Sequence, residues 1–216
     1  MAAENEEEDE NDPNYYWGTH VSALDETDGT LKYTINIPHK IEFPLFIDDE
    51  NDILHVFTSR SGILYQYSAE TGEPHDGDDP EKGTFGEPCE GWPVFDGRDN
   101  IYFGFGPQGG LGKLDLKTHE VETLHSLDGR RIMAAITICS NKNHAHEPNY
   151  EPFTSLYFGT NTHMMKFDVI EKKIVWEWAL PSLEVPTEFD DFSMPGFAAP
   201  VIDNWGKVLF GYVTNS

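Results

Sequence analysis

Short runs of aromatic and branched residues recur along the chain, and several of them end at a glycine. Clear examples are 53–57 (ILHVF), 101–104 (IYFG), 156–159 (LYFG) and 208–211 (VLFG). The runs are too short for helices, and their composition is typical of central strands in small sheets. Apolar stripes at a spacing of 3.6 residues are nearly absent. The pattern therefore predicts an all-β chain.

The strand signals repeat at a nearly regular interval. After each run comes a second strand, a turn that carries Asp or Gly, and a third strand. Gly29 and Gly72 are 43 positions apart, whereas Asp115 and Asp168 are 53 apart because a loop is inserted between them. Such a period predicts four-stranded antiparallel units arranged as blades. We expect an all-β β-propeller of about four to five blades, partial or open, with a small closed ring as the alternative.

The turn motifs resemble one known repeat. The matching segments are 23–25 (ALD) with Gly29 and Tyr33, 69–72 (AETG), and 167–168 (FD) with Trp176. They resemble the quinoprotein-type, or PQQ-like, β-propeller repeat, in which the aromatic residue docks between neighbouring blades. The segments 117–119 (KTH) and 171–173 (EKK) depart from its Thr-Gly turn. The resemblance covers roughly residues 15–216, implies a fold superfamily and favours an extracytoplasmic or luminal location.

The charge balance is strongly acidic. Fourteen Lys and Arg stand against 39 Asp and Glu, which gives a formal net charge of −25. Such a field repels nucleic acid, so we expect no nucleic-acid partner. Residues 1–14 are predicted to be an acidic disordered tail, and residues 15–216 the propeller domain, which could be a fragment of a larger propeller. No apolar run is long enough for a membrane span, and we recognise no signal peptide.

The function predicted from this fold is that of a non-catalytic protein-interaction scaffold. Non-enzymatic proteins of similar repeat type include outer-membrane assembly lipoproteins and luminal stress sensors. The alternative is part of a quinoprotein-type oxidoreductase, or a propeller that binds a sugar or another small molecule. Quinoproteins of this superfamily carry about eight blades and often a vicinal Cys-Cys pair, so PQQ is not expected here. Cys89 and Cys139 are far apart in sequence, and whether they are bonded stays open.

Candidate interaction residues are aromatic. They are Tyr15, Tyr16, Trp17, Trp176 and Trp205. The expected partner is another protein, or the remainder of a longer propeller. Open strand edges at 15–17 and 208–210 also predict self-association, which should strengthen as salt screens the net charge.

Two loops have candidate metal ligands. His144 and His146 are one residue apart and could hold a transition metal together with Glu147, since alternate residues of an extended segment point to one side. Asp76, Asp78 and Asp79 surround Gly77 and could hold calcium. The alternative for both loops is a set of solvated polar turns, and we assign no catalytic residue and no certain cofactor.

Overall fold

The computed structural model describes residues 19–59, 61–85, 91–106, 109–139, 155–179, 199–203 and 207–211. These residues form strands and turns and contain no helix. The described part of the chain therefore has no helix that could cross a membrane. The strands of the first half are β1 (Thr19–Leu24), β2 (Leu31–Ile37), β3 (Phe46–Asp48), β4 (Ile53–Phe57), β5 (Ile63–Ser68), β6 (Glu81–Thr84), β7 (Val94–Phe95) and β8 (Asn100–Phe105). Those of the second half are β9 (Gly110–Asp115), β10 (Val121–Ser126), β11 (Thr137–Cys139), β12 (Ser155–Gly159), β13 (His163–Asp168), β14 (Lys173–Ala179), β15 (Val201–Ile202) and β16 (Val208–Leu209).

Within each sheet, strands that follow one another along the chain pair side by side, always antiparallel. Sheet 1 contains β1 and β2, sheet 2 contains β3 to β6, sheet 3 contains β7 to β10, sheet 4 contains β11 to β14, and sheet 5 contains β15 and β16. Sheets 2, 3 and 4 are thus complete four-stranded meanders in the described part of the chain. The prediction of an all-β chain built from four-stranded antiparallel units is confirmed.

The turn between the first and second strand of a sheet is built on an aspartate. In sheet 2, Asp48 accepts hydrogen bonds from the backbone N–H groups of Glu50 and Asn51. In sheet 3, the buried Asp96 accepts bonds from three successive backbone N–H groups, those of residues 98 to 100. In sheet 5, Asp203 accepts a bond from the backbone N–H of Lys207. Asp side chains favour such turns because they satisfy backbone donors locally.

A second repeated design occurs in the turn between the third and fourth strand of sheets 3 and 4, and in the turn between β1 and β2 of sheet 1. Asp25, Asp115 and Asp168 each accept a bond from the backbone N–H two residues later. Four residues after each of them the backbone takes a positive φ, at Gly29 (74°), His119 (57°) and Lys172 (50°). The departures from the Thr-Gly motif therefore keep its left-handed backbone although they lose its glycine, at a conformational cost that glycine does not have.

The hydrophobic core lies between the sheets. Three clusters of buried side chains each draw on two neighbouring sheets: Val21 and Ile35 of sheet 1 with Val56 of sheet 2, Phe57 of sheet 2 with Phe103 of sheet 3, and Leu111 of sheet 3 with Phe158 of sheet 4. A smaller cluster joins Met164 and Trp176 of sheet 4 to Phe210, which follows β16. The sheets therefore pack face to face in chain order, which is how blades pack around a propeller.

One aromatic residue docks between two of these sheets. The Tyr33 hydroxyl on β2 donates a 2.5 Å hydrogen bond to the backbone oxygen of Ala69, in the turn that follows β5. The Tyr33 ring covers Gly72, where an added Cβ would lie only 2.6 Å from Tyr33 Cδ2. Gly72 also has a φ of 75°. Tyr33 thus fixes sheet 1 against a turn of sheet 2.

Candidate functional site

A polar cleft of about 400 Å³ lies between sheets 2 and 3. In a meander, the turn after the first strand and the turn after the third strand lie at the same end of the sheet, so each sheet contributes two turns here. We call this site the turn cleft, and its lining residues are Asp48, Asn51, Ile53, His55, Gln66, His75, Asp76, Arg98, Asp99, Leu116, Lys117 and His119.

His55 is the most unusual of these residues. It lies within the apolar strand β4 and is only 2% exposed, with its ring 5.8 Å from that of Phe95. The Gln66 side-chain amide donates a 3.2 Å hydrogen bond to Nδ1, while the buried Nε2 has no partner. Burial lowers the pKa of His55 to about 4. The ring is therefore neutral at pH 7, and because Nδ1 accepts a bond, its proton is on Nε2.

The carboxylates of the turn cleft already have partners. Lys117 Nζ lies 2.8 Å from an Asp99 oxygen, and His75 Nε2 lies 3.3 Å from an Asp76 oxygen. The side-chain amide of Asn51 donates a 2.7 Å bond to Asp48. Burial alone would raise the pKa of Asp48, but the hydrogen bonds from Asn51 and Glu50 outweigh it and lower that pKa.

Arg98 differs from these groups. Its side chain is exposed at the tip of the β7–β8 turn, and no carboxylate of the described residues lies within ion-pair distance of its guanidinium. An arginine without an acidic partner is notable in a chain with a net charge of −25. Arg98 and His55 Nε2 are thus two hydrogen-bond donors of the turn cleft that have no acceptor among the described residues.

The predicted calcium loop adjoins this site. Asp76 is in the turn cleft, with a φ of 58° and its contact to His75. Asp79 accepts a 2.9 Å bond from the backbone N–H of Glu81, and Asp78 is exposed. In the described segments no three His, Cys, Asp or Glu residues converge as ligands, so calcium at this loop stays a prediction.

The other predicted sites are only partly within the described residues. His144, His146 and Glu147 lie outside them, as do Tyr15, Tyr16, Trp17 and Trp205. Cys89 also lies outside, while Cys139 is half-buried on β11.

The remaining predicted interaction residue, Trp176, is half-buried on β14. Its ring lies 6.1 Å from that of Tyr157, and it packs against Ala134 and Met164. Trp178, two residues further on, is 42% exposed and makes an edge contact with Phe210 at 5.5 Å. Of these two tryptophans on β14, Trp178 is the more exposed.

Comparison with known proteins supports the architecture. No protein-family model matches the chain, and a search of curated proteins finds no relative. Among solved structures, BamB from Moraxella catarrhalis matches with a TM-score of 0.51 at 19% identity, over 76% of this chain and 46% of BamB. BamB is a β-propeller. This chain has the same kind of fold.

The likeness to BamB extends to the fold alone. The chain spans less than half the length of the BamB structure. A nidogen/laminin complex also matches, with a TM-score of 0.27 at 11% identity over 76% of this chain and 91% of that one, which is too low to carry an argument.

Sequence reasoning did not find the turn cleft. Its residues come from strands of sheet 2 and from four turns of two sheets, and no local spacing links them. One signal was present, namely a histidine in the middle of the apolar run 53–57. A buried histidine in such a run needs a partner for each ring nitrogen, and this one lacks a partner for Nε2.

Proposed function

We propose that this β-propeller is a non-catalytic protein-interaction scaffold of the PQQ-like type, with its propeller domain at 15–216 and an acidic tail at 1–14. The docking of Tyr33 on Gly72 supports the PQQ-like assignment, because it joins the two repeat positions on which the resemblance rests. The comparison with BamB supports the propeller architecture on which this proposal is built.

The observation that carries the interaction role is an apolar surface on sheets 4 and 5. Trp178 is 42% exposed, and it contacts Phe210, whose chain neighbour Leu209 is 60% exposed. Leu209 pairs across the sheet with Val201, which is 61% exposed. We call Trp178, Val201 and Leu209 the end surface. Exposed aromatic and aliphatic side chains are typical of protein–protein contacts.

The test compares two charge-introducing variants. Trp178→Glu places a carboxylate on the end surface, and Leu31→Glu places one at a 62% exposed position of sheet 1. Each tagged protein is cross-linked in extracts of its source cells, and the cross-linked sites are mapped by mass spectrometry. We expect a partner, either a different protein or a second copy of this chain, that is cross-linked at the end surface. Leu31→Glu should retain it and Trp178→Glu should lose it.

Two outcomes would contradict the proposal. One is a set of cross-links that avoids the end surface or is absent altogether. The other is a partner retained equally by both variants, because a buried carboxylate without a counter-charge should weaken a real apolar contact strongly.

A further inference from the structure

Two hydrogen-bond donors that line the turn cleft have no acceptor among the described residues. Asp48, Asp76 and Asp99 are each engaged by a neighbouring side chain, whereas Arg98 and His55 Nε2 are not. A buried N–H without a partner is costly, and native structures leave few of them. The turn cleft therefore offers two donors, one of them charged, to a molecule that brings acceptors.

We propose that the turn cleft binds a carboxylate group, which accepts hydrogen bonds from the Arg98 guanidinium and from His55 Nε2. A carboxylate has two oxygens and a negative charge, and the planar guanidinium matches it with paired donors. Binding would satisfy the His55 nitrogen and give Arg98 the anion that it lacks. The volume of about 400 Å³ suits a small organic acid or one acidic side chain of a peptide.

A metal ion fits the same residues less well. Zinc needs the lone pair of an imidazole nitrogen, but the bond from Gln66 to Nδ1 leaves the proton on Nε2, and so that nitrogen is a donor. The described residues also bring no three ligands together. A carboxylate oxygen can accept a hydrogen bond from His55 Nε2 in this tautomer.

The net charge of the chain limits which interactions can hold an anion in the turn cleft. A chain with a charge of −25 repels anions at long range, so only short contacts can retain one. Loss of one charged donor should therefore remove most of the affinity. The proposal is independent of the end surface, which lies on sheets 4 and 5 rather than between sheets 2 and 3.

The experiment follows the histidine rings directly. Protein with ¹⁵N-labelled histidine is titrated with succinate, with its neutral analogue succinamide, and with a capped Gly-Glu-Gly peptide, while the His55 Nε2–H signal is recorded. His55→Gln assigns the signal. We expect a saturable shift with succinate and none with succinamide. A shift with the peptide as well would mark an acidic side chain as the ligand, and a shift with succinate alone would mark a free acid.

Arg98→Gln is the decisive variant, because Arg98 is exposed and its replacement leaves the core intact. We expect it to weaken succinate binding at least tenfold, as for the loss of one charge-assisted bond. Lys173→Gln makes the same change in net charge on sheet 4 and should bind as the parent does. The proposal is overturned if neither carboxylate shifts the His55 signal, if Arg98→Gln binds as well as Lys173→Gln, or if only Zn²⁺ shifts the signal.

Discussion

The docking of Tyr33 on Gly72 can be tested with two matched glycine replacements. In Gly72→Ala the new Cβ meets the Tyr33 ring 2.6 Å away, on a backbone with a φ of 75°. In Gly29→Ala the backbone is nearly the same, with a φ of 74°, but nothing lies within 4 Å of the new Cβ. The two variants thus share the backbone strain and differ in the contact.

The expected losses follow from those two contributions. An alanine in the left-handed region costs about 1–2 kcal/mol, and this applies to both variants. Forcing a methyl group against a packed ring adds about 1–3 kcal/mol, and this applies to Gly72→Ala alone. The lower entropy of the unfolded alanine chain acts equally in both and cancels in the difference.

Thermal unfolding followed by tryptophan fluorescence measures the difference. For a chain of this length, each kcal/mol lowers Tm by roughly 2–4 °C, so Gly72→Ala should melt several degrees below Gly29→Ala. In a Tyr33→Ala background the extra loss from Gly72→Ala should vanish, because the ring that it meets is gone. Equal melting temperatures for the two single variants would refute the docking of Tyr33 on this turn.

Two further predictions concern ionisation. In the folded chain the pKa of His55 is lowered from its ordinary value of 6.5 to about 4. The neutral buried ring therefore contributes fully to the free energy of unfolding above pH 6.5. That free energy falls as the pH drops toward 4, by about 2–3 kcal/mol at pH 4.5. Urea unfolding at pH 7 and 4.5 should show a smaller acid loss in His55→Gln than in the parent, and an equal loss would contradict this assignment. Asp25 has a pKa of about 2, lowered chiefly by the Thr27 hydroxyl, then by the Thr27 backbone N–H and by Lys32. Carbon-detected NMR titration should show that Thr27→Val raises that pKa more than Lys32→Met does, and the reverse order would count against the hydroxyl as the main cause.

The sequence predicted the sheets well because their determinants are local. Aromatic and branched runs, Asp turns and glycines with positive φ each act within a few residues. These signals mark β3 to β5, β7 to β9 and β12 to β14, whereas β6, β10 and β11 were not predicted. Even the departure at 117–119 is intelligible, since His119 adopts the left-handed backbone that glycine would have taken.

The turn cleft could not be predicted in the same way. Arg98 is one residue of a polar turn, and its lack of an acidic partner becomes apparent only when the acids around it are seen to bind Lys117, His75 and Asn51. That information depends on how two sheets pack, which a single sequence does not reveal. The choice between Trp176 and Trp178 depends on packing in the same way.

The placement of the core between sheets has a consequence for cooperativity. A meander such as sheet 3 has its Phe103 buried against sheet 2 and its Leu111 buried against sheet 4, so it cannot open without exposing apolar surface on both sides. Stability in such an array is approximately the sum of the intrinsic stabilities of its units and of their nearest-neighbour interfaces. Amide protons of sheet 3 should therefore exchange through openings that also involve its neighbours, and a cavity made at one interface should weaken two sheets at once. Because each buried cluster is shared by two neighbouring sheets, replacing one repeat in evolution would also require compatible side chains in the sheets on either side.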